Sequence, residues 1–166
     1  IGCGYWGPNL IRNMQQLSNV HIQAICDVDE GRLKLLKSNY ANVKCLTKYT
    51  DLLKDSQIEA IVIATPAETH YRLVKESLLA DKHVLVEKPL ALSSPECREL
   101  IDLSQKHKKI LMVGHTFEYN AAVNKVKEYI DSGELGKIYY IYSQRLNLGR
   151  VRHDINAMWN FAPHDV

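Results

Sequence analysis

This chain lacks most of what would betray a function by composition. Its four cysteines, Cys3, Cys26, Cys45 and Cys97, form no C-x-x-C pair, which argues against a disulfide framework and against a clustered zinc site. The seven histidines are scattered rather than grouped, so no metal is expected. Cys26 and Cys97 fall in apolar patterns and read as small core residues. Unpaired cysteines of that kind point to a reducing, cytoplasmic setting. No apolar run is long enough to span a bilayer, and no membrane partner is expected. No secretory leader is visible. Charge of neither sign dominates: 21 basic residues face 19 acidic ones. The basic residues are dispersed, which argues against nucleic acid as a partner. There are no internal repeats and no low-complexity tracts. The 166 residues suit one domain, or one domain and part of another.

What the chain does have begins at its first residue. Ile1-Gly2-Cys3-Gly4-Tyr5-Trp6-Gly7 spells G-x-G-x-x-G. That pattern normally closes a strand and opens a helix, and its glycines let backbone N–H groups approach a pyrophosphate. The N–H groups of Gly4, Tyr5, Trp6 and Gly7 are the expected contacts. Only Ile1 precedes the pattern, where a central strand is expected, and there is no initiator Met. The chain therefore reads as a fragment of a longer protein.

Strand-like and helix-like segments then alternate. Helices are expected from Gly7 to Leu17, Asp29 to Tyr40, Tyr49 to Asp55, Glu68 to Ala80 and Pro95 to His107, the last capped by Ser94. Its inner face should carry Cys97, Leu100, Ile101 and Ser104. Strands are expected over Val20–Cys26, Val43–Leu46, Ala60–Ala64, His83–Val86 and Ile110–Val113. The unbroken apolar runs suit strands buried on both faces. This βαβα order implies a parallel, doubly wound sheet of the Rossmann type, with its first strand mostly missing. After Gly114 the character changes. A helix from Asn120 to Ser132 should bury Val123, Val126 and Ile130 and end at Gly133. A longer alternating strand, Lys137 to Leu148, should follow and open a second α/β domain with an open sheet. The expected domains are 1–118, binding NAD, and 119–166, the start of a truncated substrate domain.

Four places could carry chemistry. The glycine turn is the first, and Asp27 strengthens it. An apolar strand ends there, about 20 residues past Gly7, where a carboxylate can accept from an adenosine ribose. The alternatives are a glycine turn without a ligand and a simple strand-end cap. A carboxylate at Asp27 would repel a 2′-phosphate, so NAD is favoured over NADP. The second place is Thr65-Pro66-Ala67-Glu68-Thr69-His70, at the C-terminal end of a buried strand, where ligands bind in such sheets. His70 is equally a helix-start residue. The third is Glu87-Lys88-Pro89, at another strand end. Lys88 there can hydrogen-bond a hydroxyl and help its proton leave, or be an ordinary surface lysine.

The glycine fingerprint, I-A-T-P-x-x-x-H and H-V-L-V-E-K-P-L-A, in this order, resemble the glucose–fructose oxidoreductase / inositol dehydrogenase / rhizopine catabolism (Gfo/Idh/MocA) family. The resemblance runs over essentially the whole chain. It implies an N-terminal Rossmann domain, a C-terminal α/β domain and oxidation or reduction of a secondary alcohol with NAD(P). It implies that Lys88 orients and polarises the reacting hydroxyl, and that Thr65, Pro66 and His70 lie around the nicotinamide ribose. A cis Lys88–Pro89 peptide is also in keeping with it. The fourth place comes from the same resemblance. Trp159 to Asp165 matches the family's D-x-x-x-H element, which makes His164 the acid/base. Asn160 stands where Asp is common, and an amide can hold a hydroxyl but carries no proton.

Within the family, G-Y-W-G-P-N-L, V-G-H-T-F-x-Y-N and Y-I-Y-S-Q-R-L-N-L-G-R resemble the branch acting on nucleotide sugars, such as UDP-N-acetylglucosamine-type 3-dehydrogenases. Arg145, Arg150 and Arg152 are then candidates beside an anionic substrate, or else belong to a solvated strand edge. Tyr119 and Asn120 either line the pocket or merely start a helix. The expected activity is NAD-dependent oxidation of a sugar hydroxyl, with a UDP-N-acetyl-sugar at C3 as first choice. The alternatives are an inositol or free-sugar dehydrogenase, or a cofactor-binding regulator without catalysis. The family's open sheets commonly join subunits, so a homo-oligomer is expected of the full-length protein.

Overall fold

The structure is a computed structural model that describes residues 1–144 together with Leu146, Met158 and Ala162. Arg145, Arg150, Arg152, Asn160 and His164 lie outside the described residues. The chain divides into two compact units, Ile1–Val113 and Gly114–Val166.

In the first unit, strands and helices alternate as the periodicity requires. The elements are α1 (Gly7–Gln15), β1 (Ala24–Cys26), α2 (Glu30–Asn39), β2 (Lys44–Leu46), α3 (Tyr49–Lys54), β3 (Ala60–Ile63), α4 (His70–Leu79), β4 (His83–Val86), α5 (Ser94–Lys106) and β5 (Leu111–Val113). A 3-10 turn, Ala67–Thr69, leads into α4. β1 pairs with β2, and β4 lies between β3 and β5; every pairing is parallel. The two ladders are joined through the first two residues. Gly2 N–H donates to the Cys26 carbonyl (2.8 Å) and Ala64 N–H to the Ile1 carbonyl (2.8 Å), while the Ile1 nitrogen donates to the Val62 carbonyl (2.6 Å). The order across the sheet is therefore β2, β1, Ile1–Gly2, β3, β4, β5. With Ile1–Gly2 counted as the first strand, this is the Rossmann order 3-2-1-4-5-6.

The core explains the continuous apolar runs. Ile63, Val74, Leu78, Val86 and Leu100 are fully buried, and they come from β3, α4, β4 and α5. A smaller cluster, Cys3, Ile25, Leu33 and Leu36, seats α2 on β1. Two details of α5 differ from expectation. Its cap is Ser93, not Ser94: the Ser93 backbone is extended and its hydroxyl accepts from Glu96 N–H. Ile101 is exposed, whereas Leu100 and Ser104 face inward. Three positions from Cys97 to Leu100 and four more to Ser104 follow the helical repeat, and Ile101 falls one step off that stripe.

The second unit opens with a 3-10 turn, Thr116–Tyr119, followed by α6 (Ala121–Asp131). Gly133, at φ +74°, follows its C-terminus and donates to the Ile130 carbonyl. Two expectations fail here. Val123 and Val126 are exposed rather than buried, and α6 has no buried residue. Residues 137–144 form no strand. A strand exists through its ladder, and among the described residues nothing pairs with this segment. Alternation alone does not make one.

Candidate cofactor and active site

The site is built at the C-terminal edge of the parallel sheet, where the chain leaves Ile1–Gly2, β1, β3 and β4 in succession. The glycine turn comes first, and its three glycines have different jobs. Gly2 sits at φ +89°, and a Cβ there would lie 2.6 Å from the Ala64 carbonyl oxygen. A Cβ on Gly7 would lie 2.1 Å from the Gly2 carbonyl oxygen. Both positions are closed to any side chain by the protein's own backbone. Gly4 differs: its nearest neighbour would be the Arg32 guanidinium at 3.7 Å. The space over Gly4 is open, as close approach of a pyrophosphate requires. α1 begins directly after this turn with Pro8 in its first turn, no acidic residue there and no side chain capping it. Its N-terminus therefore presents backbone N–H groups and the positive end of its dipole with no built-in anion.

Asp27 ends β1 beside this turn and is 5% exposed. Its Oδ2 accepts from Cys3 N–H (2.6 Å) and its Oδ1 from Asp29 N–H (2.8 Å). The carboxylate is thus fixed to the fingerprint itself, which sets its distance from anything bound there. Asp29 caps α2 by accepting from Gly31 and Arg32 N–H groups. One turn into that helix, Arg32 reaches back to within 3.7 Å of Asp27 and 3.4 Å of Asp29. Arg32 was not singled out from the sequence. Its signal was the capping Asp three residues earlier, which aims the first turn of α2 at the fingerprint. Burial pushes the Cys3 thiol up to about 11, so it is an inert packing group under the turn.

The other two strand ends meet on the far side of the turn. Thr65 and Thr69 share a hydroxyl hydrogen bond of 2.6 Å, and Thr69 donates to the Pro66 carbonyl. Lys88–Pro89 is a cis peptide. His70 is fully buried, with Nδ1 2.6 Å from the Pro89 carbonyl oxygen and Nε2 2.9 Å from that of Thr65. It links the segment after β3 to the turn after β4, and both its nitrogens are taken by the protein. Burial pushes the Glu87 carboxyl above its ordinary range, opposed by hydrogen bonds from the Lys88 N–H and the Trp6 indole and by the charges of Lys88 and His70. The Trp6 indole thus lies near Glu87, which puts the glycine turn beside the segment that carries Lys88. Spacing gave no sign of it, since 81 residues separate the pair.

The first unit thus brings together Gly2, Gly4, Tyr5, Trp6, Gly7, Asp27, Thr65, Pro66, His70, Glu87 and Lys88 along one sheet edge. Tyr5 is exposed and stacks near Trp6, with ring centroids 6.4 Å apart. In the second unit, Tyr119 is exposed, and Asn120 caps α6, its Oδ1 accepting from Ala122 and Val123 N–H. A shallow cavity beneath α1, lined by Leu10, Ile11, Met14, Ile25 and Val62, offers aliphatic walls and is packing space. Among the described residues no helix is long and apolar enough to cross a membrane.

Comparison with known proteins agrees with this geometry. The sequence profile of the oxidoreductase family with an NAD-binding Rossmann fold, Gfo/Idh/MocA, matches residues 1–115. The chain is 30% identical over 154 residues to an inositol 2-dehydrogenase of Salmonella paratyphi B, a match covering 91% of this chain and 46% of that enzyme. It therefore spans about half the length of such relatives. Among solved structures, myo-inositol 2-dehydrogenase of Lactobacillus plantarum superposes with a TM-score of 0.74 at 28% identity, over 82% of this chain and 41% of that one. A 3-ketoreductase of Actinomadura kijaniata, solved with NADP and TDP-benzene, shares the fold with a TM-score of 0.73 at 23% identity, over 80% of this chain and 41% of that one. On its fingerprint, its sheet order and this match, the chain belongs to the Gfo/Idh/MocA oxidoreductase family and carries that family's NAD-binding Rossmann fold.

Proposed function

We propose that the protein containing this chain is an NAD-dependent dehydrogenase acting on a secondary hydroxyl of a polyhydroxylated ring, a sugar or cyclitol. The observation that carries the reading is the meeting of Gly4, Asp27 and Lys88 at one edge of a parallel sheet. There the strand order reverses and such folds bind their ligands. The division of labour is 1–118 for NAD and 119 onward for substrate.

The residues fit the cofactor. The opening over Gly4 and the N-terminus of α1 suit a pyrophosphate, and Asp27 suits the two hydroxyls of an adenosine ribose. When bound, NAD supplies an electrophilic ring carbon that takes a hydride from the substrate carbon. Glu87, half-buried beside the Trp6 indole, belongs to the segment on which Lys88 stands. Lys88 donates a hydrogen bond to the reacting oxygen, which stabilises the negative charge that grows there as its proton leaves. His164 is the proposed base that takes that proton. Asn160, an amide, holds a hydroxyl without moving a proton. Acid–base help of this kind is worth about 10²–10⁴-fold.

Two substrate classes follow from different observations. The G-Y-W-G-P-N-L and Y-S-Q-R-L-N-L-G-R segments favour a UDP-N-acetyl-sugar oxidised at C3, with Arg145, Tyr119 and Asn120 beside it. The similarity to inositol 2-dehydrogenases favours a free cyclitol. Incubating the intact protein and NAD with UDP-N-acetylglucosamine, its uronic acid, myo-inositol and scyllo-inositol separates the two. Reduced cofactor with one class and not the other selects it, and none with any would sink the dehydrogenase reading.

A further inference from the structure

His70 is 1% exposed, yet both ring nitrogens face carbonyl oxygens, at 2.6 Å from Pro89 and 2.9 Å from Thr65. A carbonyl oxygen only accepts. A neutral imidazole has one N–H and one lone pair, so either tautomer sets a lone pair against a carbonyl oxygen at hydrogen-bond distance, buried at Pro89 and half-buried at Thr65. Turning the ring over does not help, because it then offers carbon to both. The doubly protonated ring alone donates in both directions. We propose that His70 is held as an imidazolium and acts as the positioning residue that straps the segment after β3 to the Lys88–Pro89 turn after β4.

Of the charged groups of the two segments, the carboxyls favour a cation at His70 and Lys88 opposes it. Glu87, two residues before Pro89, is a half-buried carboxyl near the ring. Lys88 and the exposed Glu68 are the other charged residues of the two segments. Charge-assisted bonds are about twice as strong as neutral ones, so two of them make a stiff link between loops that are 19 residues apart for Pro89. The link matters because Pro89 has no N–H of its own. Its carbonyl is the handle by which the peptide carrying Lys88 is held. The strap itself is independent of the reaction, whereas its effect on turnover rests on the proposed role of Lys88.

The test is the ring spectrum of the intact protein labelled with 15N-histidine, near neutral pH, assigned through contacts to Pro89 and Thr65. The expected result is a proton on each nitrogen of His70, both slow to exchange with solvent. One proton on one nitrogen would overturn the charged strap. The second arm is His70→Gln, whose amide can donate at one end and not at the other. In folded protein kcat should fall about tenfold or more with little change in NAD affinity, the mark of a displaced catalytic group rather than a lost binding one. Unchanged kcat would remove the positioning role. A wild-type protein that forms the imidazolium but turns over no substrate would instead count against the dehydrogenase reading alone. If His70→Gln does not fold, the wild-type spectrum still decides the state of the ring.

Discussion

At the scale of single residues, the glycine fingerprint can be divided by what each position touches. Gly2 and Gly7 are closed off by the Ala64 and Gly2 carbonyls, whereas Gly4 faces open space. Gly7→Ala should therefore cost the fold about 1–3 kcal/mol or more through overpacking against backbone. Gly4→Ala should melt within about 0.5 kcal/mol of wild type yet bind NAD at least tenfold more weakly. Thermal melts and cofactor titration of both variants check this, and equal effects on both properties would refute the division. Asp27 is harder to probe alone. Asp27→Ala should weaken NAD and relax rejection of NADP, but it also strips two N–H groups of their partner at about 1–3 kcal/mol each. Arg32→Ala avoids that cost, because the side chain is half exposed. It should weaken NADP more than NAD, since the guanidinium is the cation nearest the repelling carboxylate; titration with an unchanged preference would dismiss it. The fingerprint glycines and Asp27 were legible because short-range spacing encodes them. Arg32 and the nearness of Trp6 to Glu87 were not, since they depend on where a helix cap and a loop from another strand come to rest.

Glu87 gives a pH prediction with a definite sign. Burial raises its carboxyl above the ordinary value of 4.5, so the folded state holds that proton more tightly than the unfolded chain. The stability this contributes is fully present below about the ordinary value and is lost as pH rises through the raised one. Denaturant melts across that window should show wild type losing stability relative to Glu87→Gln as pH increases. A constant difference between the two would mean that the carboxyl is not desolvated.

At the scale of elements, the helices and buried strands were readable and their edges less so. α5 illustrates both. Its apolar stripe placed Leu100 and Ser104 inward, but the expected cap, Ser94, is displaced by Ser93, whose extended backbone lets its hydroxyl close the helix. Ser93→Ala should cost about 1 kcal/mol, while Ser94→Ala should cost a few tenths at most; equal losses in chemical denaturation would contradict the assignment. The segment at 137–144 failed as a strand for a different reason. Period-two alternation marks a chain fit to lie on a half-covered sheet, but the ladder needs a partner that alternation does not provide. The apolar stripe of α6 makes the same point: Val123 and Val126 share a face, and both are exposed.

At the scale of the whole molecule, two backbone residues turn separate ladders into a Rossmann sheet. Ile1–Gly2 bonds to Cys26 on one side and to Val62 and Ala64 on the other. It thereby places the glycine turn at the reversal of strand order. The strand order was inferable from the alternation of elements, because parallel crossovers allow few arrangements. The placement of Lys88 at the same sheet edge as the glycine turn follows from that order. Lys88 is thus proposed to act on the substrate at an NAD site that does not need it. The most direct test of that role is reduction of NAD by the intact protein, wild type and Lys88→Ala, with the substrate class that the panel above selects. Lys88→Ala should lower kcat by about 10²–10⁴-fold while NAD binds with nearly wild-type affinity. Wild-type turnover by Lys88→Ala, or loss of NAD binding in step with turnover, would contradict it.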